Sequence, residues 1–294
     1  MRCNVKPKGS GDDERRGLRR ILFFAFAMLS FAATGGSALP AEAIATKAPY
    51  AFLIDASSGN VLFQKNADAP MTPASTTKIL TAEIVFRELV GGRLRLDDAF
   101  PISANAAREG DAESGGSSMF AQMGAQVRVE DLLRGLLIAS GNDAAIALAE
   151  GIAGTEAAFG AVMTKRAREL GMTGSTFTNP WGRGDAGQKV TARDMARLAA
   201  HVISAYPQYY GYFGESDFTW NGIRQVNRNP LLGMNIGADG LKTGHLAKSG
   251  FGLVGSAVQN GRRLILVLNG LRSEQERASE ARRLIEWGFG QLDR

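Results

Sequence analysis

Cysteine and histidine are nearly missing from this chain. The only cysteine, Cys3, sits at the extreme N-terminus, and the only histidines are His201 and His245. A disulfide framework, a thiolate nucleophile and a cysteine metal site are thereby excluded from the body of the chain, and a classical zinc hydrolase lacks ligands. No metal and no cofactor is expected. Long hydrophobic runs are scarce too. The clearest, Ile21 to Ala33, has 13 residues, short of the roughly 20 that a membrane-spanning helix needs. Basic residues from Arg2 to Arg20 precede it, and small or helix-breaking residues follow as far as Ala45. Residues 1–45 are therefore expected to be a signal peptide or N-terminal export segment, cleaved after Ala43 or Ala45. The long charged region and Pro40 leave retention as an anchor open, and membrane contact is expected only in that case. Excess charge is also lacking once this segment is set aside. The remaining 249 residues carry 27 basic and 25 acidic side chains, so nucleic acid is not an expected partner.

What remains suffices for one large core or two lobes sharing an interface, and no repeat or long linker divides it. Tyr50 to Asp55 and Val61 to Gln64 are β-prone around a Ser57-Ser58-Gly59-Asn60 turn. Ser75 to Leu89 has helical spacing with a stripe of Ile79, Ala82, Val85, Phe86 and Leu89, and ends at Gly91-Gly92. Its mostly apolar composition puts it through the middle of the molecule. Loops and short elements fill 97–127, with Gly115-Gly116-Ser117-Ser118 a tight approach to a site. Helices are expected over Val129–Ile138, Asp143–Ile152, Thr155–Leu170, with Thr155 as N-cap, Thr191–Ser204 and Glu274–Trp287. A loop spans Thr178–Lys189. Short strands flank Asn221-Gly222, and Leu241–Thr243, Gly252–Val258 and Leu264–Asn269 are further strands, the first entered from an Asp239-Gly240 turn. Strands at both ends and helices between them imply one sheet that joins the termini and a helical lobe from the middle.

Three short motifs carry chemistry. Ser75 and Lys78 form S-x-x-K, Ser140-Gly141-Asn142 forms S-x-N, and Lys242-Thr243-Gly244 is K-T-G. In this order they form the arrangement of serine enzymes that attack penicillin-like amides. A serine hydroxyl is a poor nucleophile until a base takes its proton. At i and i+3 on a helix, Ser75 and Lys78 point the same way. Lysine serves as base when burial and a neighbouring positive charge lower its pKa. The apolar run after Lys78 supplies burial, and Lys242 the charge. Ser140 can relay a proton to the leaving amine, and Asn142 can hold Lys78 or the substrate amide. The alternative is a simple cap on the helix from Asp143. Thr243 suits a substrate carboxylate. Gly244 lets an extended substrate approach the strand edge. The backbone N–H groups of Ser75 and His245 are candidate oxyanion donors, while the His245 side chain is assigned to the structure or the rim. Each motif alone is weak; their order and context are not.

The chain resembles the low-molecular-mass penicillin-binding proteins of the serine D-alanyl-D-alanine carboxypeptidase family from about Ala48 to Phe289. Thr72-Pro73-Ala74-Ser75-Thr76-Thr77-Lys78, Gly115 to Phe120, Glu130 to Leu136, Leu170-Gly171-Met172, Thr191 to Met195 and Asp239-Gly240 carry the likeness. The resemblance implies an α/β (α+β) fold of the β-lactamase/transpeptidase type, with an antiparallel sheet flanked by helices and a helical lobe that meets it at the site. Residues 46–294 would be a single penicillin-binding catalytic domain, its sheet lobe from about 48–70 and 215–294 and its helical lobe from about 71–214, with no C-terminal β-domain. It also implies the roles: Ser75 acylated by the penultimate D-alanine, Lys78 as base, Ser140, Asn142 and Lys242 in the proton and hydrogen-bond network, and Thr243 on the carboxylate. Asn227-Arg228-Asn229 and Arg277 match basic family positions that would guide that carboxylate, although either arginine suits a structural ion pair equally well. The implied substrates are peptidoglycan stem peptides, the implied covalent inhibitors are β-lactams, and the implied location is the periplasm or cell envelope.

Three departures bear on substrate choice. Leu246 replaces a usual threonine after the K-T-G-His, the 229–239 segment lacks a common tryptophan and is one residue short, and the 179–189 loop has Trp181-Gly182-Arg183 where leucine usually follows the glycine. A serine β-lactamase is the rival enzyme, but Thr178–Lys189 has Asp185 and no glutamate to drive deacylation. A D,D-endopeptidase uses the same chemistry on cross-links and stays open. A non-catalytic wall-binding protein would need none of Ser75, Lys78 and Lys242 together.

Overall fold

The computed structural model describes residues 44–110 and 116–292; the expected export segment, apart from Ile44 and Ala45, and Gly115 lie outside them. The chain opens with the hairpin β1 (Tyr50–Asp55) and β2 (Val61–Lys65). A 3₁₀ turn, Ala74–Thr77, runs straight into α1 (Lys78–Val90). The short β3 (Ala99–Pro101) and β4 (Gln126–Arg128) pair with each other around α2 (Ala104–Glu109). Helices α3 (Val129–Leu137), α4 (Asn142–Ala153), α5 (Glu156–Glu169), α6 (Ala192–Ala205) and the single turn α7 (Pro207–Tyr210) follow. A separate hairpin, β5 (Asp217–Trp220) and β6 (Ile223–Val226), leads to β7 (Ala238–Leu246), β8 (Gly250–Gln259), β9 (Arg262–Leu271) and α8 (Glu274–Leu292).

Five strands make one antiparallel sheet in the order β2-β1-β9-β8-β7, so the N-terminal hairpin closes against the last strand. Leu264 to Leu268 of β9 are all buried, as expected of a central strand covered on both faces. Alternation assigns the faces. Leu53, Leu264, Leu266 and Leu268 pack under Leu284, Ile285 and Phe289 of α8, whose spacing is that of one helical stripe. Phe52, Ile265 and Val267 join the larger core with the helices. Helix α6 lies on that second face against β9 and β1. Glu280 of α8 accepts the Thr46 hydroxyl at 2.6 Å and the Lys47 N–H at 3.1 Å, which ties the start of the described chain to its last helix.

Helix α1 is buried on nearly every side, as its composition implies: Ile79, Leu80, Ile84, Val85 and Phe86 are fully enclosed. Each such side chain contributes about 1.5–3 kcal/mol of burial. Glu83, also fully enclosed, accepts two guanidinium nitrogens of Arg166 (2.6 and 3.0 Å) and the Tyr206 hydroxyl at 3.0 Å. A buried carboxylate with these partners holds α1, α5 and α6 together. The Thr155 and Thr191 hydroxyls cap α5 and α6.

Two local expectations need correction. Ser75 does not begin an α-helix, because Ala74 takes φ +49° and the Thr76 N–H and hydroxyl both close back onto the Pro73 carbonyl (3.2 and 2.7 Å). That tighter turn is 3₁₀, where i and i+3 side chains eclipse. Asp239-Gly240 is not a turn before a three-residue strand. It is an irregularity inside the nine-residue β7, held because Asp239 accepts the Tyr210 hydroxyl at 2.8 Å and pairs with Arg263 at 2.8 Å. These partners come from elements distant in sequence.

Candidate active site

The Ala74–Thr77 turn is gripped from two sides by glycines. A Cβ on Gly244 would lie 2.9 Å from the Pro73 carbonyl oxygen and 3.2 Å from the Ser75 nitrogen. One on Gly182, at φ +96°, would lie 1.9 Å from the Ala74 carbonyl oxygen. Glycine is thus required where β7 and the 178–189 loop press on the residue carrying the candidate nucleophile. β7 is an edge strand, and among the described residues no further strand pairs along its outer side.

Lys78 is fully buried. Its Nζ lies 3.2 Å from Ser75 Oγ, 2.8 Å from Asn142 Oδ1 and 3.1 Å from the Trp181 carbonyl oxygen. Burial, then the charges of Lys242 and Arg228, hold its pKa well below that of an ordinary lysine. A neutral amine has two N–H bonds and one lone pair. Asn142 Oδ1 and the Trp181 carbonyl can only accept, so they take both N–H bonds and leave the lone pair for the Ser75 hydroxyl. In that form the geometry aims the lone pair of the Lys78 amine at the Ser75 hydroxyl.

Asn142 opens α4, and its own N–H donates to the Ser117 carbonyl at 2.7 Å. Gly141 is the N-cap and no side chain caps it, so the S-x-N segment does not serve as a simple helix cap. Ser140 sits at φ +62°, a conformation that costs a non-glycine residue about 1–3 kcal/mol. It is buried, and it lines a cavity of about 210 Å³ with Ser75, Thr243, Arg228 and Arg277. Glu274 stands on that cavity's rim. Arg228 donates to Ser117 Oγ at 2.7 Å, and the buried Arg277 Nε has no hydrogen-bond partner among the described residues. Desolvation lowers both guanidinium pKa values. Two arginines that sequence reasoning left open as structural pairs thus face the same space as Ser75.

Lys242 is buried too, and burial with Arg228 and Arg277 pushes its pKa down to about 7. Its amine donates to the Thr243 carbonyl at 3.3 Å. The exposed His245 ring stacks on Phe251, 3.9 Å between centroids, leaving its backbone at the turn that holds Ser75. A second cavity of about 270 Å³ shares Ser75, Ser117 and His245 with the first and is lined further by Asn142, Trp181, Leu246 and Glu109. Among the described residues no cluster of side chains suits a metal ion.

Some of the supporting framework was invisible in the motifs. Asp143, buried beside Asn142, accepts the Ser118 hydroxyl (2.8 Å) and the N–H groups of Met119 and Ala121 (3.0 and 3.1 Å). It thereby fixes the segment that meets Arg228. Asn179 Oδ1 accepts the N–H groups of Gly182 and Arg183 at 2.8 and 3.0 Å, shaping the loop whose Trp181 carbonyl reaches Lys78. The acidic residue at the second position of α4 and the Asn-Pro pair at 179–180 were the available signals.

Comparison with known proteins identifies the family and the fold. Residues 37–272 match the D-alanyl-D-alanine carboxypeptidase family (peptidase S11). D-alanyl-D-alanine carboxypeptidase DacC of Escherichia coli K12 is 42% identical over 268 residues, covering 90% of this chain and 66% of that protein. The chain spans about three fifths to seven tenths of the length of the curated relatives it matches. Among solved structures, penicillin binding protein 5 of Haemophilus influenzae superposes with a TM-score of 0.81 at 39% identity, over 84% of this chain and 72% of that one. D-alanyl-D-alanine carboxypeptidase DacD of Francisella tularensis gives 0.81 at 34% identity, over 85% and 72%. The α/β architecture, with an antiparallel sheet between helices and a helical lobe, is theirs as well. Sequence, fold and the buried lysine at its serine lead to one conclusion: the chain belongs to the D-alanyl-D-alanine carboxypeptidase family.

Proposed function

We propose that this protein is a serine D,D-carboxypeptidase that removes the terminal D-alanine from peptidoglycan pentapeptide stems. The observation that carries the proposal is the fully buried Lys78 amine, its pKa depressed by burial and by the neighbouring cations, aimed at Ser75 Oγ from 3.2 Å, beside a cavity holding two arginines. Ser75 Oγ attacks the carbonyl carbon of the penultimate D-alanine while Lys78 takes its proton. The oxyanion is held by the Ser75 and His245 backbone N–H groups. The proton passes from Lys78 through Ser140 to the leaving amine, D-alanine departs, and water attacks the ester with Lys78 again as base. Thr243, Arg228 and Arg277 bind the terminal carboxylate, Gly244 admits the extended peptide to the β7 edge, and Lys242 supplies positive potential. The strained amide of a β-lactam copies the scissile bond and would be trapped at Ser75. Residues 46–294 form the catalytic domain, and the 1–45 composition supports export to the periplasm or cell envelope.

One observation argues against a β-lactamase. Asp185, the acid of the 178–189 loop, spends its oxygens on Arg183 (3.0 Å), Asn179 (3.0 Å) and Thr178 (3.3 Å), and the loop meets Lys78 only through a carbonyl. The test is D-alanine release from an acyl-D-Ala-D-Ala acid and from its terminal amide. Losing a charge-assisted contact costs about 1.5–3 kcal/mol, so the amide should be cleaved about ten- to a hundredfold less efficiently. Equal rates, or cleavage of cross-linked dimers alone, would replace this reading with a D,D-endopeptidase.

A further inference from the structure

We infer that Glu274 acts as a charge filter at the leaving-group mouth of the Ser75 site, admitting a leaving residue that carries one carboxylate and disfavouring a leaving group that brings a second. The inference rests on the carboxypeptidase reading and names what its leaving-group cavity selects. Among the described residues lining that cavity Glu274 is the one acid, set against the guanidinium groups of Arg228 and Arg277. Its carboxylate lies 3.9 Å from the nearest Arg277 nitrogen, beyond hydrogen-bond reach, and its side chain is 75% exposed. A pair so open to solvent is weak, so a substrate carboxylate can take its place on Arg277. Two guanidinium charges are then matched by two carboxylates, one from the substrate and one from Glu274. Lys242, its pKa pushed down to about 7, adds only a partial charge at neutral pH. A further carboxylate at the mouth would meet an acid and no free guanidinium.

The surroundings separate this role from a structural one. Both cations are held in place: Arg228 donates to Ser117 Oγ at 2.7 Å, and the buried Arg277 guanidinium stands 5.7 Å from the Phe251 ring centroid. Glu274 belongs to the first turn of α8, where an acid commonly serves the helix N-terminus. That end is capped without it. The Ser273 hydroxyl accepts the Glu276 N–H at 3.0 Å, and the Glu276 carboxylate accepts the Arg272 N–H at 2.8 Å. The Glu274 charge also opposes the fall in pKa of both guanidinium groups, so it is felt across the cavity. A cross-linked peptide belongs to the disfavoured class, because its leaving amine sits on an acceptor stem that carries further carboxylates. Release of a lone D-alanine brings only one.

Two peptides of equal size isolate the charge, acyl-D-Ala-D-Asp and acyl-D-Ala-D-Asn, with acyl-D-Ala-D-Ala as the reference. Release of the terminal amino acid is measured for the wild type, Glu274→Gln and Glu274→Asp, each normalised to sites titrated with fluorescent penicillin. A peptide turned over too slowly is scored as a competitive inhibitor of D-alanine release. The wild type should favour the asparaginyl peptide about three- to fivefold in kcat/KM, mainly through KM, the upper size of an exposed charge pair. In Glu274→Gln the preference should vanish or reverse, while Glu274→Asp, which keeps the charge, should retain about twofold or more. Equal use of both peptides by the wild type would overturn the inference and leave the carboxypeptidase reading standing on the reference peptide. A structural role for Glu274 would lower all three peptides together and keep the ratio, which would overturn it too. So would a preference lost equally in both variants, which would assign the effect to side-chain length, or a pair that neither reacts nor competes, which would show exclusion by size. Cleavage of none of the three peptides would overturn both readings.

Discussion

Replacing Lys78 with arginine puts a permanent cation where the proposed mechanism needs a neutral base. The lysine amine is enclosed, with Asn142 Oδ1 at 2.8 Å and the Trp181 carbonyl at 3.1 Å taking its N–H bonds. Its pKa is depressed by burial, then by Lys242 and Arg228. A guanidinium has no lone pair to offer Ser75 and stays protonated at any working pH. Loss of a positioned general base costs about 10²–10⁴ in rate, or about 2.7–5.4 kcal/mol of transition-state stabilisation. The arginine would also stand as an unpaired buried cation beside Lys242 and Arg228. Leaving a buried charge uncompensated costs about 3–5 kcal/mol of folding stability. Both losses are measurable on one preparation: the pseudo-first-order rate of labelling by fluorescent penicillin, and urea unfolding followed by circular dichroism. The expected result is a folded but less stable protein that labels at least a hundredfold more slowly. Labelling within tenfold of wild type by a folded Lys78→Arg protein would refute the assignment of Lys78 as proton acceptor.

Arg228→Gln removes a positive neighbour that depresses the pKa of both Lys78 and Lys242. Both values should rise, so the acid limb of the acylation rate against pH should move to higher pH; an unmoved or acid-shifted limb would contradict the electrostatic account. The sign carries over to stability, since a lysine with a depressed folded pKa binds fewer protons folded than unfolded, and stability rises with pH across that window. For Lys242 the window runs from about 7 to the ordinary lysine value of 10.5. Gly182→Ala places a methyl 1.9 Å from the Ala74 carbonyl oxygen at φ +96°. The backbone conformation alone costs about 1–2 kcal/mol, and displacement of the Ser75 turn should slow penicillin labelling at least tenfold; unchanged labelling and melting temperature would show that the loop does not grip the turn.

Much of the site was legible in the chain because its parts are local. Ser75 and Lys78 are one turn apart, Ser140 and Asn142 flank one glycine, and Lys242 to Gly244 are consecutive, so spacing alone states which groups can act together. The helices from Val129 to Ser204 were legible for the same reason: periodicity and caps are short-range properties. The lowered pKa of Lys78 was foreseeable in direction from the apolar run that follows it. What the chain could not state was where its distant pieces meet. Arg228 and Arg277 are on a loop after β6 and on α8, and only the sheet, closed by the N-terminal hairpin, brings them to one cavity with Thr243. Glu109 and Trp181 belong to different elements that converge through the Asn142 and Lys78 hydrogen bonds. The Asp239 irregularity in β7 follows from Tyr210 and Arg263, and the 3₁₀ turn at Ser75 from the close approach of Gly182 and Gly244. Local propensity is a property of a few neighbouring residues. A pocket is made of side chains whose sequence separation carries no information until packing closes the distances between them.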